Sequence, residues 1–351
     1  MVHMAAQLDV DLVLEGGGVK GIALAGAISV LDERGYRFHK IAGTSAGSIV
    51  GALVAAGVRG DRLHEMMQAI DYRKFQDPPL LGRLGLVGVA AQVLLNKGWC
   101  RGNYVRSWLA EMLAEQNVRT FADLRLGDPA ADAVLREVPS RSYRFVTMAS
   151  DVTNGRLVRL PWDYPARFNV DPDQTPVVDA VRASMAIPYF FTPARCPDHV
   201  RGGTAWLVDG GMLSNFPVGV FDRTDGAEPR WPTFGIKLSG RPGESRLNDV
   251  RGIVTLTKAM LSTMTGFYDR MHIDRDEVAA RTIFVDTFGV KATEFGLSAS
   301  TAERLFESGR NAATAFLDGD EHRPKWDFEA YKQQWRSALA PAASAVQTAG
   351  G

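Results

Sequence analysis

Apolar residues fall in short continuous runs and in longer stretches at helical spacing, and the two kinds alternate along most of the chain. The run Asp11–Leu14 predicts a strand that stops at a glycine cluster, and Val19–Val30 carries small and apolar residues at helical density. His39–Ala42 predicts a second short strand, and Gly47–Gly57 a buried helix rich in Ala, Val and Gly. Asp61–Ile70 predicts a short helix with Asp61 near its N-cap. In Gly102–Gln116, Val105, Trp108, Leu109 and Met112 make one apolar stripe of an amphipathic helix. Thr120–Leu124 reads as a short helix start and Gly127–Ser140 as a surface connection. Tyr143–Ser150 and Arg156–Leu160 pair about an Asn154-Gly155 turn, and Trp162–Asp173 is a long polar and aromatic loop. Pro176–Met185 predicts a helix with Val177, Val178, Ala180 and Val181 inward, and Pro188 disfavours its continuation. Ala205–Val208, Thr233–Leu238 and Thr282–Thr287 predict further strands. Asn248–Arg270 and Ser298–Phe316 predict long helices, the second with Ser300 or Thr301 near its start. This alternation predicts an α/β fold: a mainly parallel central sheet with helices on both faces.

One segment breaks the pattern. Asp77–Trp99 opens on Pro78-Pro79, and Leu80–Leu95 is apolar and Gly-rich, with Arg83 and Gln92 its strongly polar side chains. It is too short and too interrupted to span a bilayer. Two readings stand: a helix and loop packed on the core, or a partly helical cap that covers an acyl-binding groove or touches a lipid surface. The expected organisation is a flexible 1–9, an α/β domain over 10–338 with the cap inserted at about 77–116, and a flexible Ala-, Ser- and Gly-rich tail over 339–351. The 351 residues suit one large α/β domain or two smaller ones.

Composition narrows the partners. Lys and Arg total 40, as do Asp and Glu, so no broad basic field exists and nucleic acid is not an expected partner. Two cysteines, Cys100 and Cys196, make neither a disulfide framework nor a metal-ligand cluster. Met1–Asp9 lacks the basic-then-apolar order of a secretory signal, so the expected location is cytoplasmic, peripheral at a membrane where the apolar run touches it. No oligomeric state is implied.

The chemistry concentrates in two turns. Gly16, Gly17, Gly18 and Gly21 follow the first strand and allow a tight turn with close approach to a ligand at a helix N-terminus, where negative charge is favoured. Gly43-Thr44-Ser45-Ala46-Gly47 follows the second strand and matches the GxSxG nucleophile elbow in its required strand–turn–helix setting. Each motif alone occurs often by accident. The glycine cluster also fits a dinucleotide fingerprint, but that site needs an acidic residue ending the next strand. Here that strand ends in Ile41-Ala42-Gly43, while Asp32 and Glu33 lie earlier, at the end of the helix. A serine nucleophile, Ser45, with glycine N–H groups as its oxyanion hole accounts for both turns together. Asp209-Gly210-Gly211 ends another strand, where open α/β sheets place catalytic groups. Taken alone it reads as a turn-forming Asp.

With Glu15-Gly16-Gly17-Gly18-Val19-Lys20-Gly21, the Ser45 elbow, Ala183-Ser184-Met185-Ala186-Ile187-Pro188-Tyr189-Phe190-Phe191 and Val208-Asp209-Gly210-Gly211 in this order, the chain resembles the patatin-like phospholipases, which are lipid acyl hydrolases. The resemblance covers about residues 11 to 240, leaving out Asp77–Trp99 and the C-terminal third. Glu15 and Lys20 stand where the family often has Asp and Arg, so charge is kept while the forked contacts of Arg are lost. The resemblance implies a three-layer patatin-like fold and a Ser–Asp dyad of Ser45 and Asp209 with no catalytic histidine. It implies an oxyanion hole from Gly16, Gly17 and Gly18, with Lys20, Gly21, Gly43, Gly47, Gly210 and Gly211 shaping the loops. A lipid or fatty-acyl ester is then the substrate, phospholipase A or lysophospholipase-type hydrolysis the reaction, and no metal or organic cofactor is called for. An ordinary hydrolase triad would place a histidine after the Asp. His272 and His322 follow Asp209 without the surroundings of a positioned base, and His64 reads as a surface residue. An acyltransferase or small-ester hydrolase on the same dyad, and a non-catalytic lipid-binding or regulatory protein, remain the alternative readings.

Overall fold

The computed structural model describes residues 8–77, 85–127, 139–223, 227–238, 259, 263, 276–321 and 323–339. β1 (Leu8–Leu14) passes through a single 3-10 turn into α1 (Gly21–Glu33), and β2 (Tyr36–Gly43) passes directly into α2 (Ala46–Ala55). Then come α3 (Gly60–Ala69), α4 (Gly85–Asn96), β3 (Gly98–Cys100) and α5 (Asn103–Glu115). β4 (Phe145–Asp151), β5 (Arg156–Leu160), α6 (Val177–Ser184), β6 (Tyr189–Phe191), β7 (Ala194–Pro197) and β8 (Thr204–Asp209) follow. β9 (Thr233–Lys237), α7 (Asp276–Ala280), β10 (Thr282–Phe284), α8 (Ala299–Asp318) and α9 (Phe328–Leu339) complete the described elements.

The main sheet runs β10-β9-β1-β2-β4-β8-β7 among the described residues, with β5 also paired to β4. It is parallel from β10 to β4, whereas β5, β8 and β7 join by antiparallel pairing. β1 is bonded on both edges, to β2 and to β9, and Val10–Leu14 is buried throughout. A parallel strand covered on both faces has no solvent side, so its apolar run is nearly continuous instead of alternating. Asp11 interrupts that run. It accepts the Lys40 N–H at 2.9 Å and faces the Lys40 ammonium at 3.6 Å, while its burial pushes the carboxyl upward.

α1 is buried from Gly21 to Leu31 and crosses α8 closely. Gly26 lies on the Phe306 carbonyl, and Gly309 lies on the Ala23 carbonyl, so a Cβ at either position would meet the other helix's backbone. Bidentate pairs Arg310–Glu33 and Arg34–Asp318 flank the seam. Gly309→Val is expected to destabilise the fold by about 2–4 kcal/mol, because backbone cannot yield as a side chain can. A urea midpoint unchanged from wild type would refute the close crossing. The C-terminal part shares this core: Phe234 of β9 packs on Phe316 of α8 and on Trp326, each with centroids 5.0 Å apart.

Several elements differ from the sequence expectation. α3 starts one residue earlier than expected, with Arg59 as its N-cap and Asp61 near it in the first turn. Ser300 and Thr301 stand in the first turn of α8 as expected, and its cap is Ser298, whose side chain accepts from Thr301 N–H. β10 ends at Phe284, short of Thr287. Within the expected loop Trp162–Asp173, Tyr164–Phe168 makes a turn of π-helix that buries Tyr164 and Phe168. β6, β7 and α9 have no counterpart in the sequence pattern. Most of the expected helix Asn248–Arg270, most of Gly127–Ser140, the first seven residues, His272, His322 and the tail from Ala340 lie outside the described residues.

In the segment expected to form a cap, Asp77 accepts the Gly102, Asn103 and Tyr104 N–H groups at 2.6, 2.7 and 3.3 Å. Its carboxylate thus caps α5 from 25 residues upstream, and residues 77 and 102 sit together. Between them lie α4 and β3, and β3 pairs in parallel with β6 in a separate two-stranded sheet. Arg182 of α6 ties this sheet down by donating to the Arg101 and Thr192 carbonyls.

Candidate active site

Leu14 of β1 and Gly43 of β2 stand side by side in register, so the glycine loop and the serine turn leave the sheet next to each other. Ser45 has φ 52° and ψ −120°, a strained conformation for a residue with a Cβ. The strain is tolerated because the turn is tightly packed. Gly43 abuts the Gly47 carbonyl, and Gly47 abuts the Leu14 carbonyl, leaving no room for a side chain at either. Thr44 donates its hydroxyl to the Ser214 carbonyl at 3.1 Å. Ser45 is also the N-cap of α2, whose N-terminal partial charge favours an anion there.

β8 brings Asp209 to Ser45, and it does so against the expected direction. The strand runs antiparallel to β4, so it descends toward the C-terminal ends of the parallel strands instead of rising to them. The Ser45 hydroxyl lies close enough to the Asp209 carboxylate to lower it, as a donated hydrogen bond does. Asp209 also accepts the Gly211 N–H at 2.7 Å, and Gly210 fits against the Met148 carbonyl. Burial pushes the Asp209 carboxyl up to about 6, against the lowering effect of the Ser45 and Gly211 bonds.

The glycine loop is held by contacts that sequence reasoning missed. Glu15 is buried, takes the Lys237 ammonium at 2.6 Å and accepts the Leu238 N–H. Asn215 donates to the Gly16 carbonyl at 3.1 Å and to Glu15 at 3.4 Å. The Asn215 backbone carbonyl accepts the Gly16 N–H at 3.2 Å. That N–H is therefore committed to the fold and is not open to an oxyanion, which narrows the expected trio. The Gly17 and Gly18 N–H groups donate to no group among the described residues. Gly18 has φ +56° and lies against the Ala292 carbonyl, which accepts the Val19 N–H at 3.1 Å. Lys20 donates to the Leu238 carbonyl at 3.1 Å, and Gly21 lets α1 approach Ala46. Ser184, fully buried, accepts the Ser45 N–H at 3.0 Å. Ser45, Asp209, Ser184 and the glycine loop are thus gathered at one place.

An apolar pocket open to solvent begins at Ser45 and Gly18 and is walled by Ile49, Met67, Ile70, Phe75, Ile187 and Phe295, among others. Its lining suits an acyl chain. His64 stacks on Phe306 with centroids 3.5 Å apart and faces Glu303. No three His, Cys, Asp or Glu side chains converge as a metal site among the described residues.

A patatin-like phospholipase family model matches residues 12–222. The chain belongs to the patatin-like phospholipase family. Membership places it among lipid hydrolases. It is 36% identical over 312 residues to the uncharacterized protein YqhO of Bacillus subtilis (strain 168), covering 88% of this chain and 98% of that one. A 46-residue stretch is 54% identical to lysophospholipase nte1 of Aspergillus niger, covering 13% of this chain and 3% of that much longer protein. Among solved structures, VipD from Legionella pneumophila aligns with a TM-score of 0.49 and 18% identity over 90% of this chain and 67% of that one. This patatin-like chain sets its glycine loop and its serine turn on adjacent parallel strands.

Proposed function

We propose that the protein is a serine lipid acyl hydrolase of phospholipase A or lysophospholipase type, with Ser45 as nucleophile and Asp209 as base. The observation that carries the reading is the strained Ser45 at the mouth of an apolar pocket, with the buried Asp209 carboxyl close enough to be lowered by its hydroxyl. Asp209 takes the hydroxyl proton as Ser45 attacks the ester carbonyl, and an acyl-enzyme forms. The Gly17 and Gly18 N–H groups receive the developing oxyanion, helped by the N-terminus of α2. Asp209 returns the proton to the departing alcohol and then activates the water that hydrolyses the acyl-enzyme. A carboxylate of ordinary pKa is a poor base for a hydroxyl, and burial makes Asp209 a better one.

This reading sets a pH profile. Asp209 must be ionised to act, so kcat/KM on a fatty-acyl ester is expected to rise through about pH 6 and level off above it. A stopped assay across pH 4.5 to 9 checks it, and a profile flat through pH 6 would remove Asp209 from the role of base.

We also propose that the cap region meets a lipid surface. Leu94 and Leu95 are 82% and 68% exposed at the end of α4, and Tyr189 of the neighbouring β6 is 57% exposed. Beside them the Lys97 ammonium lies 4.5 Å over the Trp206 ring and the Arg195 guanidinium 5.5 Å over it. Apolar side chains rimmed by cations suit an anionic bilayer. No helix among the described residues is long and apolar enough to cross one. Replacing Leu94 and Leu95 by Glu is expected to weaken co-sedimentation with phosphatidylglycerol-containing vesicles at least roughly tenfold. Undiminished co-sedimentation would move the contact elsewhere.

A further inference from the structure

Three loops meet at the candidate active site, and the short segment after the Asp209 turn touches all of them. The Ser214 N–H donates to the Gly210 carbonyl at 2.8 Å, and the Ser214 carbonyl accepts the Thr44 hydroxyl at 3.1 Å. Asn215 then holds the glycine loop from both sides of one residue. Its backbone carbonyl accepts the Gly16 N–H at 3.2 Å, and its Nδ2 donates to the Gly16 carbonyl at 3.1 Å. Nδ2 also lies 3.4 Å from a Glu15 carboxylate oxygen, on a carboxylate that takes the Lys237 ammonium. Both partners of Nδ2 are acceptors, which fixes the end of the amide that faces the loop. The other end, Oδ1, lies over Gly211, where a Cβ would come within 2.7 Å of it. This side chain is thus wedged between the glycine loop and the turn that carries Asp209.

We propose that Asn215 is a positioning residue for the oxyanion hole: by pinning the Gly16 carbonyl, its Nδ2 keeps the Gly17 N–H aimed at the oxyanion that forms on a substrate attacked by Ser45. The proposal rests on the reading of Ser45 as the nucleophile of a hydrolase. The Gly16 carbonyl and the Gly17 N–H belong to one peptide unit. That unit is trans and planar, so its C=O and N–H point in opposite directions, and holding one holds the other. A peptide between two glycines turns over readily, because neither residue has a Cβ to restrict it. The loop therefore needs an anchor, and Asn215 supplies it from outside the motif. The anchored residue backs onto the nucleophile, since a Cβ on Gly16 would lie 3.2 Å from the Ser45 Cβ. A donor fixed in advance stabilises the developing charge without the loop having to reorganise.

The test uses Asn215→Ala, which keeps the backbone carbonyl that holds the Gly16 N–H and removes only the side-chain contacts. Hydrolysis of p-nitrophenyl decanoate is measured per site titrated with a fluorophosphonate, so that a loss of folded protein does not count. The second probe is a long-chain alkyl trifluoromethyl ketone. Ser45 Oγ adds to its carbonyl carbon, the C=O π pair becomes an alkoxide, and the serine proton passes to Asp209, so the adduct carries the oxyanion without turnover. In Asn215→Ala, kcat is expected to fall on the order of a hundredfold with KM held within about threefold. The inhibition constant of the ketone is expected to rise by the same factor as kcat/KM falls. Asn215→Asp, of the same shape but without the donor, is expected to lose as much. A folded variant with kcat and ketone inhibition unaltered overturns the proposal and leaves the hydrolase reading intact. A raised KM at unaltered kcat also overturns it, because Asn215 would then shape the pocket instead. A further measurement needs no variant: in the wild type, the Gly17 amide proton is expected to move downfield in the NMR spectrum when the ketone adds. A Gly17 signal that does not respond to the adduct overturns the proposal even if neither variant folds. Wild type that neither cleaves the ester nor takes up the ketone overturns the hydrolase reading itself.

Discussion

Ser45→Ala is expected to lower hydrolysis of a fatty-acyl ester on the order of 10⁴-fold or more, leaving only what substrate binding and the glycine loop supply. The size follows from the chemistry, since without the hydroxyl no acyl-enzyme forms and water must attack directly. The same change removes labelling by a fluorophosphonate, which reacts with the activated serine. Ala at position 45 inherits the strained φ of 52° but loses the contact with Asp209, so the fold should survive and a melting curve checks that it does. Residual activity within tenfold of wild type would place the nucleophile elsewhere. An unlabelled but folded wild type would favour a lipid-binding protein on this scaffold.

Asp209→Asn is expected to cost about 10³–10⁴-fold in kcat, the range seen when the group that handles the nucleophile's proton is lost. Its effect on stability should run the other way. The folded protein raises this carboxyl from 3.8 to about 6, so at neutral pH the buried charge costs the fold on the order of 3 kcal/mol. The cost is absent below the ordinary carboxylate range, grows between about pH 4 and 6 and is complete above that. Asn keeps an oxygen to accept the Gly211 N–H and carries no charge. The variant is therefore expected to be inactive and to melt at or above the wild-type temperature at pH 7.5, with the difference vanishing near pH 4. An inactive variant that melts well below wild type would mean that Asp209 braces the loop, and that its loss of activity says nothing about a base.

The parts of the site that could be read in the sequence are those whose chemistry imposes a local rule. Gly43 and Gly47 are small because carbonyls of the neighbouring backbone occupy the space where a Cβ would go, and Ser45 stands between them. What was not legible depends on residues far apart in the chain. Ser184 meets the Ser45 N–H across 139 positions, and Asn215 meets Gly16 across 199. No spacing rule announces such partners. The commitment of the Gly16 N–H to Asn215 could not be foreseen for the same reason. Strand order hid the approach of Asp209, because an apolar run ending at a carboxylate looks alike in a parallel and an antiparallel strand. β6 and β3 have three residues each and exist by pairing with one another, so neither carries a period of its own. α4 is apolar with glycines interspersed, which left open whether the segment packs on the core or forms a cap.

The crossing of α1 and α8, and the carbonyl of Ala292 under Gly18, have a bearing on how this protein can be divided. The family match ends at residue 222, yet β9 pairs with β1, and Phe295 lines the pocket. A fragment cut at the match boundary would keep Ser45 and Asp209 but leave β1 with a bare hydrogen-bonding edge and α1 with an uncovered face. Such an edge recruits other chains. The inheritable unit of this protein is therefore longer than its recognisable signature, and transplanting the signature alone would carry off the reactive groups without the surfaces that keep them in solution.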